Sequence, residues 1–268
     1  MIGISRVAQF RGGRRGLLAD VLLGVTAGAQ SYTLPTGSQY IDIELYGGGG
    51  GGGAGVVISA GRTVFYIGGG GAGGGGYVRH GFTGAFGGDI VNFTIGSGGT
   101  GVNVARGISG GNTSLTDITR SGNTVTTFSD IVAYGGFGGN IGAAGPSFPI
   151  GATGGQALNG NITNRPGLSG FSHIQSGGVS PVANNGATGG AGGNNDANVE
   201  NSIGLFNGGA GGLHATNTRA GVGGNAGTLS VLAGAGGGGG GFNKAFVTTA
   251  ETIGATGGMG GIRIKVYG

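Results

Sequence analysis

Tyr40-Ile41-Asp42-Ile43-Glu44-Leu45-Tyr46, followed by seven consecutive glycines at residues 47–53, is the stretch from which the rest of the chain can be read. Apolar and polar residues alternate over 40–46, the period of a strand with one buried face. The end of the chain repeats the arrangement in reverse: a glycine-rich passage, residues 254–261, runs into Ile262-Arg263-Ile264-Lys265-Val266-Tyr267-Gly268. Side by side, the first strand offers Ile41, Ile43 and Leu45 on one face and Asp42 and Glu44 on the other. The last offers Ile262, Ile264 and Val266 opposite Arg263 and Lys265. Apolar matches apolar and acid matches base, so the two are expected to be neighbours in one sheet, where such cross-strand pairs contribute roughly 0.2–1 kcal/mol each. Two unrelated edge strands with solvated charges are the competing arrangement. If the strands pair, residues 40–268 form one unit whose ends meet, with the glycine runs as its body.

The composition excludes an ordinary layered core. Glycine supplies 77 of 268 residues, only 8% are charged, and 12 Phe and 7 Tyr with no Trp are too few to fill a domain of this length at native packing density. Glycine also loses the most backbone entropy on folding, so the backbone itself must compensate. Disorder couples low hydrophobicity with high net charge, whereas this chain has a net charge of +4 and a mean hydropathy of +0.17. Collagen is excluded by the lack of a strict Gly-X-Y period and by only five prolines,. With no cysteine there is no disulfide framework and no Cys-based metal or redox site,. The sequence pI near 9.7 does not indicate a nucleic-acid domain, because Arg6, Arg11, Arg14 and Arg15 account for four of the 13 basic residues and the others are thinly spread.

Residues 1–37 read as an N-terminal anchor or attachment segment and 38–268 as a glycine-rich domain. Ile2, Ile4, Val7 and Phe10 are interleaved with arginines, and Leu17, Leu18, Val21, Leu22 and Val25 follow at roughly helical spacing. A basic start, an apolar run and Thr26-Ala27-Gly28-Ala29 also fit a secretory signal, against which stands Asp20 inside the run. The anchor reading expects docking through a short helix or an added strand. No apolar run approaches the ~20 residues of a membrane span.

Short strands are expected at 56–58, 63–67, 89–95, 102–104, 113–115, 124–128 and 131–134. From Gly135 to about residue 241 alternation gives way to glycine-alanine runs separated by polar, Asn-rich segments. The fold class expected is mainly β and irregular, with short strands, paired terminal strands and a bundle of polyglycine II helices. That geometry has three residues per turn, a rise of about 3.1 Å and no hydrogen bonds within its own strand. Its N–H and C=O groups must then be satisfied by neighbouring rods. Flexible glycine loops are the alternative.

The strand 41–46 running into polyglycine, Phe93-Thr94-Ile95-Gly96-Ser97-Gly98-Gly99, Ile131-Val132-Ala133-Tyr134-Gly135-Gly136 and the closing Gly260-Gly261-Ile262-Arg263-Ile264-Lys265-Val266 together resemble the glycine-rich domain of tailed-bacteriophage tail-fibre and tail proteins, over about residues 38–268. The resemblance implies a virion tail protein, extracellular after release and at or near a fibre tip. Its partners would be other tail or baseplate proteins, through residues 1–37, and a host surface protein or polysaccharide. It also implies a homotrimer, since fibres of this kind are commonly trimeric. The chain is similar as well to phage tip adhesins that carry variable loops on a polyglycine II sandwich, although residues 1–37 are not expected to form a long attachment domain like theirs.

No catalytic constellation stands out, and no enzyme is expected. Gly107-Ile108-Ser109-Gly110-Gly111 fits the G-x-S-x-G nucleophile pattern, which this glycine content produces about once by chance. GxGxxG matches do not open a helix. His80, His173 and His214 are isolated, with no metal-ligand spacing, so neither a metal nor a cofactor is expected. Recognition falls instead to loops on a rigid scaffold: 140–184, 194–206, 213–219 and 242–246. The receptor-binding candidates there are Phe148, Phe171, His173, Phe206, His214, Arg219, Phe242 and Phe246, because aromatic side chains give large contact area at small entropic cost. Each phenylalanine can equally plug the edge of the bundle. A purely structural virion appendage and a bacterial glycine-rich surface protein are the alternatives in function. An ice-binding bundle would need regularly spaced Thr or Ala.

Overall fold

The computed structural model describes residues 16–24, 26–54, 56–60, 63–67, 69–102, 106–141, 151–170 and 254–268. Among these the protein is all-β, without a helix, and its strands pair antiparallel. One sheet has five strands in the order β1 (Leu17–Leu23), β13 (Gly261–Tyr267), β3 (Tyr40–Tyr46), β6 (Tyr77–Thr83) and β12 (Thr163–Arg165). The other runs β11 (Ala157–Leu158), β10 (Val132–Ala133), β8 (Thr113–Arg120), β7 (Ile90–Ile95) and β2 (Gly28–Thr33), with β9 (Asn123–Thr127) also on β8. β4 (Val56–Ala60) and β5 (Thr63–Ile67) form a separate hairpin.

The terminal strands pair as their alternation requires. Ile264 lies opposite Ile43, Ile262 opposite Leu45 and Val266 opposite Ile41. Their apolar faces join Val78, Val91, Phe93, Ile95, Leu115 and Ile118 in one hydrophobic cluster shared by the two larger sheets. The other face of the five-stranded sheet carries charge. Glu44, 1% exposed, accepts hydrogen bonds from Lys265 Nζ at 2.6 Å and from the Tyr46 hydroxyl at 2.6 Å. Arg79 binds Asp42 through Nε at 3.0 Å and Nη2 at 2.7 Å. Long basic stems lying over the sheet keep both carboxylates out of water while supplying the paired hydrogen bonds that a buried charge needs.

Part of the segment expected to be an anchor is built into these sheets. Residues 17–23, whose apolar spacing is nearly helical, form β1 on the outer side of β13, and β2 pairs along its length with β7. Strand pairing prevails locally because it sets Asp20 beside Arg263, which donates Nε and Nη2 bonds of 2.8 Å each. A helix over the same residues could not present that carboxylate to the sheet edge while β13 kept an unpaired backbone.

Candidate binding face

Residues 47–53 continue from β3 and are buried throughout. Their N–H groups turn to a different neighbour at each step. Gly47, Gly50 and Gly53 donate to the carbonyls of Gly76, Gly73 and Gly70 at 2.9, 3.0 and 3.0 Å. Gly48 and Gly51 donate to Gly111 and Ile108, and Gly49 and Gly52 to Gly258 and Ala255, at 2.8–2.9 Å. In return Gly136 and Gly139 donate to the carbonyls of Gly48 and Gly51, and Gly99 to that of Gly49, each at 2.8 Å. The donor direction therefore repeats every third residue, and five other segments surround this one. Only glycine fits such a position: a Cβ on Gly50 would lie 2.2 Å from the Phe137 carbonyl oxygen.

Segment 134–140 follows the same period with one difference. Tyr134 and Phe137 donate to Gln156 and Thr153, and Gly136 and Gly139 to residues 48 and 51. The third direction is met by side chains. Gly135 N–H donates to Asn112 Oδ1 at 3.1 Å and Gly138 N–H to Ser109 Oγ at 3.3 Å. Arg106 Nε donates to the Gly138 carbonyl at 3.1 Å. Ser109, the serine of the G-x-S-x-G match, thus caps a neighbouring backbone.

These bonds set three segments side by side, 106–112, 134–140 and 151–156, over 47–53 and 69–76. Their outward side chains recur in steps of three, with Arg106, Ser109 and Asn112 on the first, Phe137 in the middle of the second, and Thr153 and Gln156 on the third, all exposed. Ile108 and Phe137, on adjacent segments, are 53% and 47% exposed, and Leu168, on the next flank, is 48% exposed. The result is a backbone-fastened face bearing one guanidinium, hydroxyl and amide groups and the Phe137 ring.

None of the eight residues singled out for receptor contact, Phe148, Phe171, His173, Phe206, His214, Arg219, Phe242 and Phe246, falls among the described residues, and the same holds for residues 103–104 of the strand expected at 102–104. The sequence reading passed over Arg106, Asn112 and Phe137 and weighed Ser109 only as a chance nucleophile match. A signal exists for Ser109, Asn112 and Phe137, which flank glycine pairs, but not for Arg106, which precedes a single glycine. Glycine pairs separated by single residues, as in Tyr134-Gly135-Gly136-Phe137-Gly138-Gly139-Asn140, Thr153-Gly154-Gly155-Gln156 and Thr256-Gly257-Gly258-Met259, mark every third position as the outward one.

No group of three or more His, Cys, Asp or Glu side chains among the described residues could hold a metal ion, and no helix among them is long and apolar enough to cross a membrane. His80 follows the alternation of β6 onto the face of Val78 and Phe82. Its ring meets Phe128 edge-on at 5.5 Å, its Nδ1 is buried without a partner, and burial lowers its pKa. It is a packed histidine. Asp89 is 1% exposed, accepts Arg120 Nε and Nη2 at 2.7 and 2.9 Å and the Phe86 N–H at 2.9 Å, and is held below the usual carboxylate range chiefly by the bond from Arg120.

Fold and face together define an all-β protein whose hydrophobic double sheet carries a glycine scaffold fastened through its backbone. A family model for a glycine-rich domain matches residues 25–267, and the chain belongs to that glycine-rich domain family. No curated protein matches the chain in sequence.

Proposed function

We propose that this is a non-enzymatic tail-fibre or tail-tip protein of a tailed bacteriophage, which binds a host-surface receptor through loops on a polyglycine II scaffold. The observation that carries the scaffold part is the step of three in the hydrogen bonds of residues 47–53. Left-handed threefold backbone without internal hydrogen bonds accounts for donors that rotate to a new neighbour at each residue. Such a scaffold holds its outward positions rigidly, which lowers the ordering cost of binding. The resemblance of the strand-to-polyglycine junctions to phage tail proteins supports the virion assignment. In this reading residues 1–37 face the rest of the tail, and the loops within 140–184 and 194–246 face the host.

The test is competitive adsorption. Purified protein is added to candidate host cells before phage, beside a variant with Phe148, Phe171 and His173 changed to Ala. Blocking by the wild type and its loss in the variant are expected. Folded wild-type protein that neither binds cells nor blocks adsorption on any susceptible host would reject receptor binding and favour a purely structural appendage.

A further inference from the structure

Residues 157–165 pass from one sheet to the other. β11 pairs with β10 in the six-stranded sheet, and β12, a short way on, pairs with β6 in the five-stranded one. The chain between them is pressed onto β6. Ile162 N–H donates to the Arg79 carbonyl at 3.2 Å, and the Asn161 amide exchanges bonds of 2.7 and 2.8 Å with the Gly81 backbone. Asn159 Nδ2 donates to the Asp130 carbonyl at 3.0 Å. Both Asn159 and Asp130 hold left-handed backbone, with φ of 61° and 60°, a conformation that persists where surrounding contacts impose it. The crossover is anchored on either side: β11 to β10, and the Gly167 and Gly170 N–H groups to the Gly155 and Ala152 carbonyls at 2.8 and 2.9 Å.

His80 sits beneath this crossover. Its ring is hydrogen-bonded to the Asn159 backbone, stands edge-on to Phe128 at 5.5 Å and lies opposite Ile43 in the ladder with β3. Nδ1 is buried without a partner, which leaves Nε2 to make the bond to Asn159. A second proton would put a charge and a donor into a pocket that offers Nδ1 no acceptor. Tyr40, Asp42 and Glu44 of β3, Arg79 of β6 and Arg165 of β12 belong by alternation and register to the other face of the sheet. Asp130 is exposed, and Asp117 of β8 accepts from Asn92 at 2.6 Å. β9, β10 and β11 carry no charged residue.

We propose that His80 is an acid-operated latch: when its ring takes up a proton it gives up Asn159 and Phe128, and residues 159–165, β12 included, lift from β6 between their two anchors. Burial lowers the pKa of the latched ring. Closure is therefore complete above the free-imidazole value of about 6.5 and weakens as pH falls toward the latched value, each unit between the two being a factor of ten in the opening equilibrium.

Native-state hydrogen exchange of the full chain at about pH 7.5 and about pH 5, referred to unfolded-chain rates at each pH, tests the latch. Peptides within 159–165 are expected to lose protection about tenfold on acidification, while those of β3 and β13 keep theirs. In His80→Gln the acid loss should vanish. Should that variant fail to fold, an NMR titration of the wild-type His80 ring reads the same device: its pKa should lie below about 6.5 and mark the acid end of the range over which protection falls. An equal acid loss in β3 and β13, no acid loss in 159–165, or an undiminished loss in His80→Gln would overturn the proposal. So would a ring pKa at or above about 6.5.

Discussion

Lys265 lies directly opposite Asp42 in the ladder of β13 and β3, yet its Nζ bonds Glu44, one step along the diagonal, at 2.6 Å. Asp42 is taken instead by Arg79 of β6, which itself lies opposite Glu44. Each acid at the centre of the sheet is thus served diagonally, from opposite neighbouring strands. Arg263, opposite Glu44, turns outward to Asp20 on β1 and reaches Glu44 only at 4.0 Å. One charged face thereby links four strands.

Removing one member of this network should cost more than removing a pair. Lys265→Met removes the 2.6 Å bond from Nζ to the buried Glu44 carboxylate. A loss of about 3 kcal/mol is expected, in the range for deleting one member of a buried ion pair. Adding Glu44→Gln should recover much of it, because the other charge of the pair is then gone as well. Urea unfolding of the single and double variants measures both; equal losses would show that the ion pair is not what matters at this position.

The glycine scaffold should reject a single methyl group at its centre and ignore larger changes at its rim. Gly50→Ala puts Cβ 2.2 Å from a backbone oxygen that cannot turn away. Overpacking of this kind costs roughly 1–3 kcal/mol or more, so a strongly lowered melting temperature or failure to fold is expected. Thr100→Ala, at an exposed rim position, should stay within about 0.5 kcal/mol of the wild type. Melting curves of the two variants side by side decide it.

Acid should weaken the loop that carries Phe86. The folded-state pKa of Asp89 is lowered, first by its bond from Arg120, so its stabilisation is present above the ordinary carboxylate value of about 4 and is lost as pH falls through the folded value. Asp89→Asn should lower stability at neutral pH and flatten the decline below about pH 4. Unfolding midpoints across that range supply the measurement; an undiminished acid slope would place the sensitivity in other carboxylates.

A second, milder pH step should come from His80. Burial lowers its folded pKa, so the unfolded chain takes up a proton first as pH falls. The stability associated with the neutral ring is complete above about pH 6.5 and declines below it. Midpoints at about pH 7.5 and pH 5 should differ more for the wild type than for His80→Gln. The same difference in both proteins would remove His80 as the cause.

The local structure was legible because it is local. Alternation over 40–46 and 262–267 determined two strands, their buried faces and, through matched charges, their pairing; the glycine count excluded a conventional core. The x-Gly-Gly triplets at 134–140, 153–156 and 256–259 also announce which residues face outward, although uneven spacing between runs conceals the step of three within them. Tertiary structure decided what depends on neighbours distant in sequence. Asp20, an anomaly in an apolar run, is the partner of Arg263, 243 residues away. Near-helical spacing in 17–23 yields to the open edge of β13. Residues 47–53 draw their bonds from segments near 73, 99, 110, 137 and 257. A glycine carries no side chain by which its neighbours could be recognised, so the sequence determines that these backbones must find partners, and only packing determines which.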